Sequence, residues 1–175
     1  MEAVFYTSDS YTRLDNATAY AAGDAISDNA TSGTPLVFEN AAVRAGRGGV
    51  IETLAVITDF ATAAGDPGGL SAELWLFDTA PTGTTFEDNA AAALTYAEAL
   101  NVVAVIPFDF DTDGHNGTAA GAGSAVAFLK DLSLPYRCAL EGTSLYGVLI
   151  ARNAYVPNNE QNITVQLGVQ REYKI

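Results

Sequence analysis

The chain has 175 residues, with 8 Lys and Arg against 21 Asp and Glu, a formal charge of -13. So few cations against so many carboxylates repel phosphate, which excludes sequence-independent nucleic-acid binding and attraction to an anionic membrane surface. The length fits one domain with a core of its own. The single cysteine, Cys138, excludes an intrachain disulfide.

In chain order, the first ten residues (MEAVFYTSDS) carry no basic start and no long apolar run, so they do not read as a secretory leader. Strand-like runs then recur between turn signals. They are residues 3–7 (AVFYT), 34–39 (TPLVFE), 50–60 (VIETLAVITDF), 71–78 (SAELWLFD) and 102–110 (VVAVIPFDF), followed by 125–134 (AVAFLKDLSL), 144–151 (SLYGVLIA) and 162–173 (NITVQLGVQREY). In 50–60 both parities are largely apolar, which predicts a strand covered on both faces. In 162–173, Ile163, Val165, Leu167 and Val169 share one parity and Thr164, Gln166 and Gln170 the other, which predicts a strand half buried beside solvent.

One stretch, 87–100 (EDNAAAALTYAEAL), reads as a helix, with Asp88 or Asn89 as its cap and four alanines in its body. Residues 115–123 (HNGTAAGAG) read as a surface loop. About eight strands and one short helix predict an all-β protein, an antiparallel β-sandwich or jelly roll. Residues 1–19, polar and weakly patterned, read as an N-terminal arm suited to docking, and residues 20–175 as the sandwich domain.

The sharpest local motif is Asp109-Phe-Asp111-Thr-Asp113-Gly (DFDTDG). Alternate carboxylates before a glycine resemble the first half of a calcium loop, so Asp109, Asp111 and Asp113 are the metal candidates and calcium is the one candidate cofactor. The second half fails, because Ala120 stands where a bidentate Glu would be. His115 is the one histidine, and no Gly-x-Ser-x-Gly elbow supplies it with a nucleophile. Cys138 reads as a small buried thiol and Glu73 as an outward strand residue. Trp75, Phe77, Tyr96, Tyr136, Tyr146 and Tyr155 could in principle form a sugar-stacking platform, but core or interface positions fit them better. These residues point away from an enzyme.

Six segments taken together carry a family likeness. They are 18–26 (TAYAAGDAI), 36–44 (LVFENAAVR), 50–57 after the AGRGG turn, 74–81 (LWLFDTAP), 88–99 (DNAAAALTYAEA) and 134–149 (LPYRCALEGTSLYGVL). The pattern resembles small proteins encoded beside the major capsid protein of tailed bacteriophages. That resemblance implies a capsid decoration (cement) protein on the outer face of the head, made in the bacterial cytoplasm. It also implies the major capsid protein as partner and self-association into dimers or trimers, with no nucleic-acid or membrane partner. The alternative is a receptor- or carbohydrate-binding sandwich of a fibre or head fibre.

Overall fold

The computed structural model describes residues 4–14, 17–60, 69–83, 86–119 and 122–172. The strands are β1 (Phe5–Thr12), β2 (Ala25–Ile26), β3 (Leu36–Phe38), β4 (Gly48–Phe60), β5 (Ser71–Phe77), β6 (Val102–Asp109), β7 (Gly114–Ala119), β8 (Ala122–Leu129), β9 (Leu134–Arg137), β10 (Leu145–Ala151) and β11 (Asn162–Arg171), with one helix, α1 (Tyr96–Ala99). They form two sheets. The first runs β1-β11-β4-β8-β7, with β9 also on β4. The second runs β2-β10-β5-β6, with β3 also on β10. Every described pairing is antiparallel.

The pairings follow one rule. With β2 and β3 taken as one interrupted strand and β8 and β9 as another, and β7 set aside, eight principal strands remain. The first pairs with the last (β1 with β11), the second with the seventh (β3 with β10), the third with the sixth (β4 with β8) and the fourth with the fifth (β5 with β6). This is a long hairpin rolled up so that β11 also meets β4 and β10 also meets β5. The rolled hairpin is the jelly-roll topology, and the antiparallel sandwich expected from the sequence is the observed fold.

The alternation in β11 explains its place beside the core. Ile163, Val165, Leu167 and Val169 are buried, while Thr164 and Gln166 stay half open on the opposite face. Leu54 and Val56 of β4, Leu74 and Leu76 of β5, and Ile106 and Phe108 of β6 meet them between the sheets. Gly147 of β10 makes room for this packing: a Cβ there would stand 2.7 Å from Phe38 Cε2 and 3.0 Å from Leu74 Cδ1.

Four expectations change. Strand 125–134 is divided into β8 and β9, because Asp131 and Ser133 take left-handed backbone angles (φ 57 and 50) and Leu132 N–H donates to Glu52 O between them. The loop expected at 115–123 is largely the β7–β8 hairpin, with residues 120 and 121 outside the described residues. β1 lies inside the span read as an arm, and all eight of its residues pair with β11.

The fourth concerns the helix. Only residues 96–99 are helical, and Asp88 does not cap them. Asn89 has φ 58, Ala90 N–H closes a turn on Glu87 O, and Ala91 bridges to Asp24, so the alanine run is not helical. The cap is Thr95, whose side chain accepts from Glu98 N–H while Glu98 Oε2 accepts from Thr95 N–H, a reciprocal capping box. Glu98 Oε1 also accepts from Thr82 N–H at 2.8 Å, which ties the helix to the segment before it.

Burial would raise the Glu98 carboxyl, but the hydrogen bonds from Thr95 and Thr82 win and hold it down to about 2. A lowered native pKa gives stability that is complete above the unfolded value of ~4.3 and is lost as pH falls toward 2. Thermal melts from pH 6 to pH 2 should therefore show a steeper acid loss for the native chain than for Glu98→Gln. Identical slopes would contradict this assignment.

Candidate functional site

The outer faces of the two sheets differ. That of the five-stranded sheet is covered by the chain itself. Ala25, Phe77, Phe86, Val148 and Ile150 form a second apolar cluster there, with Trp75, Ala92, Leu94, Val102 and Tyr146 packed around it. Among the described residues the six-stranded sheet has no such outer cluster, and its outer face is open.

Register places the side chains of that face in rows. One row runs Ser8, Gln166, Ala55, Phe128 and the next runs Ser10, Thr164, Ile57, Val126. Tyr6, Gly168 and Thr53 form a third. A Cβ on Gly168 would collide with Thr53 Oγ1 and stand 3.0 Å from Tyr6 Cε1, so the missing side chain lets both neighbours lean across β11. None of these eleven residues is charged, but beyond β8 the rows lead to His115, opposite Val126, and to Asp113, whose carbonyl accepts from Phe128 N–H. The next row contains a charged residue, Asp59, and its carboxylate accepts from both the backbone and the side-chain nitrogens of Asn162. The middle of the face is apolar, with Ile57 37% and Phe128 49% exposed, beside Ala55 and a half-buried Val126.

A β-bulge in β4 builds this face. The partner of Gly168 is Thr53 and that of Val169 is Ile51, so Glu52 is an extra residue and the side-chain parity of β4 switches there. Ile51 points inward with Leu54 and Val56, while Ile57 points outward. The apolar residues on both parities of 50–60 therefore do not mean a strand covered twice within this chain. One set fills the core and the other lines the open face.

The residues singled out in the sequence fall as follows. Asp109 ends β6, and its Oδ1 accepts from Asp111 N–H at 2.8 Å, while Asp113 Oδ2 accepts from Asp109 N–H at 3.1 Å. Two of the three carboxylates thus bind backbone of their own turn. Among the described residues, no group of three or more His, Cys, Asp or Glu is gathered to hold a metal. His115 lies on β7 opposite Val126. Cys138 is buried, and burial, with Asp78 adding, pushes its thiol up to about 11, so it carries no thiolate at neutral pH. Glu73 accepts from Trp75 Nε1 at 2.8 Å and pairs with Arg152 at 3.4 Å.

The six aromatics do not gather as one platform. Trp75, Phe77 and Tyr146 share the outer cluster of the five-stranded sheet, Tyr136 hydroxyl donates to Ala41 O inside the fold, Tyr155 stacks on Tyr20, and Tyr96 stands out on α1.

Sequence reasoning did not find Arg13, which lies buried beyond the end of β1. Its guanidinium pairs with Asp88 at 3.1 Å, donates to Asn158 O at 3.2 Å and, through Nε, to Tyr20 hydroxyl, and neither ionic side chain reaches solvent. Tyr20 hydroxyl and Ser27 N–H both donate to Asp88 Oδ1. Burial pushes the Tyr20 hydroxyl well above the usual tyrosine range, although Arg13 opposes the shift. This knot fixes the 86–94 segment against β1 and so closes the covered side of the roll. Arg13 in a polar run gave no sequence signal, since its partner is 75 residues away.

No protein-family model matches the chain, and no curated protein matches it. Four chains of solved structures match. One belongs to the X-ray structure of tomato aspermy virus, with 10% identity over 97% of this chain and 78% of that chain, and a TM-score of 0.30. So loose an overlap carries no argument about function, and the fold rests on the strand pairings given above.

Proposed function

We propose that the protein is a structural component of a tailed-phage virion, a capsid decoration protein on the outer face of the head. The single observation that carries this reading is the open outer face of the six-stranded sheet, apolar at its centre around Ile57 and Phe128. A contiguous apolar patch on an otherwise acidic surface is what a protein-protein contact requires.

Three further features support it. The likeness of six segments to proteins encoded beside phage capsid genes points to the virion. Jelly rolls build viral shells as well as lectins, so the fold is compatible, although fold alone does not choose. The charge of -13 suits the outside of a head, where DNA is not the neighbour. The interior between the sheets is filled with apolar side chains, which leaves the surface as the working part. In this reading the partner is the major capsid protein, and the protein's work is to hold capsomers together.

Mixing purified protein with heads assembled from the neighbouring capsid protein tests the proposal. The protein should co-sediment with expanded heads and raise the temperature at which they rupture. Failure to co-sediment, with binding to cells or to a glycan instead, would favour the receptor-binding alternative.

A further inference from the structure

We infer that the cleft over Gly48, at the start of β4, binds the carboxylate of an acidic peptide segment supplied by another protein. The inference stands apart from the decoration reading, since this cleft lies roughly 30 Å from Ile57 at ~3.3 Å per residue along β4.

A glycine opens the cleft. Gly48 pairs with Arg137 of β9, and Glu172 N–H, just past β11, donates to Gly48 O at 3.0 Å. A Cβ on Gly48 would collide with Tyr136 O and stand 2.9 Å from Arg137 Cα. Without one, a cleft of about 220 Å³ remains, lined by Gly46, Arg47, Gly48, Tyr136, Arg137 and Glu172.

Charge selects the ligand. The chain has 8 cations against 21 acids, yet Arg47 and Arg137 share this cleft, and Arg44 stands in the same turn, its carbonyl accepting from Arg47 N–H. Among the described residues the ion pairs are Arg13 with Asp88 and Arg152 with Glu73, so none of these three arginines is matched by a carboxylate of its own chain. Arg137 Nε donates to Gly46 O at 2.8 Å, which fixes the guanidinium and leaves its terminal nitrogens to a second acceptor. Such a planar fork takes a carboxylate bidentately. Glu172 on the rim leaves the cleft one cation in excess, which suits a monoanion better than a phosphate of charge about -2.

The rim favours a peptide over a free anion. Gly46 N–H donates to Ala139 O and Gly142 O, which sets the 139–142 turn against the cleft. There Leu140 is 76% exposed, and Val43 of the facing turn is 40% exposed. They offer contact to an apolar side chain next to the bound acid. Glu141, exposed in the same turn, opposes a longer run of acids.

The test titrates the full chain with a capped Gly-Leu-Glu-Leu-Gly peptide and follows amide shifts by NMR. The peptide should bind with a Kd of about 1 mM or tighter and move Gly46 and Gly48. Glutamine in place of its glutamate should weaken binding at least about 10-fold. Arg137→Ala and Arg47→Ala should each do the same with unchanged circular dichroism, and Arg137→Lys should not restore it. Arg47→Ala removes no described side-chain hydrogen bond of the fold, so its loss reads the cleft alone. Leu140→Ser should weaken the peptide but not sodium acetate. Equal binding of the two peptides, arginine variants that bind as the native chain does, or inorganic phosphate or acetate binding as tightly as the peptide would overturn the inference. Loss in the arginine variants is expected whether or not the native protein co-sediments with heads, so the two readings fail separately.

Discussion

Arg13→Ala should lower the unfolding free energy by about 3–5 kcal/mol, because it leaves the Asp88 carboxylate buried without its cation. For a chain of this length that is a fall in melting temperature of roughly 10–15 °C. Both side chains of the pair are shut off from solvent, so water cannot replace the lost partner. Arg13 also serves Tyr20 and the carbonyl of Asn158, three directions that one planar fork can reach and a lysine cannot. Arg13→Lys should therefore recover only part of the loss. The double variant Arg13→Met with Asp88→Leu should stand above Arg13→Ala, since no charge is then stranded. It should stay below the native chain, because Ser27 N–H and Tyr20 hydroxyl lose their acceptor. A loss under about 1 kcal/mol for Arg13→Ala would show that the pair is not shielded as described. Urea denaturation followed by circular dichroism measures all three.

The second large effect is expected from a chain that begins at Tyr20. An arm that only docks could be removed and leave the fold intact. Residues 5–12 instead form β1, paired with β11 at all eight positions. Beyond the ladder, Thr7 hydroxyl donates to Glu39 O, Asp9 accepts from Val37 N–H, and Tyr11 hydroxyl donates to Ile26 O. These three bonds tie the edge of one sheet to β2, β3 and the turn after it, and so close that side of the roll. Truncation removes them together with Arg13 and bares the edge of β11, which invites pairing with other chains. The shortened protein should lose its cooperative melt and aggregate. A sharp transition within about 3 °C of the full chain, an effect below 1 kcal/mol, would show that β1 contributes little, and the docking-arm reading would then regain ground.

The acid-dependent role of Glu98 belongs to the same class of local tie, although its effect is smaller. It is legible in the sequence as Thr95-x-x-Glu98, the capping-box spacing. The four alanines at 90–93 drew attention to the wrong turn of chain. Their helix propensity is worth a few tenths of a kcal/mol each, whereas the Asp88 pair with Arg13 is worth several. The buried ion pair therefore prevails and holds residues 88–91 out of a helix, in a turn at Asn89 followed by the bridge at Ala91, and no local pattern near Asp88 announces a partner at Arg13.

The strands were legible where one face is buried and the other is not. β11 is the clear case, since its alternation is unbroken from Ile163 to Leu167. β4 was legible as a strand but not in its facing, because Glu52 adds a residue and reverses the parity on either side of it. That one bulge is why the open face could not be read from the chain. The acidic turn was legible as spacing alone: Asp109, Asp111 and Asp113 recur at the calcium-loop interval, yet two of the carboxylates are spent on backbone N–H groups of the turn itself. β2, two residues long, carries no pattern of its own and is placed by β10.

The central claim, that this jelly roll decorates the outside of a phage head and uses the open sheet in assembly, is tested most directly by a cryo-EM map of the intact particle. The expected result is density on the outer surface of the head that fits the sandwich, with the face that carries Ile57 and Phe128 buried against the shell. Density for this chain only at the tail or inside the head, or an outer layer in which that face meets solvent, would contradict it.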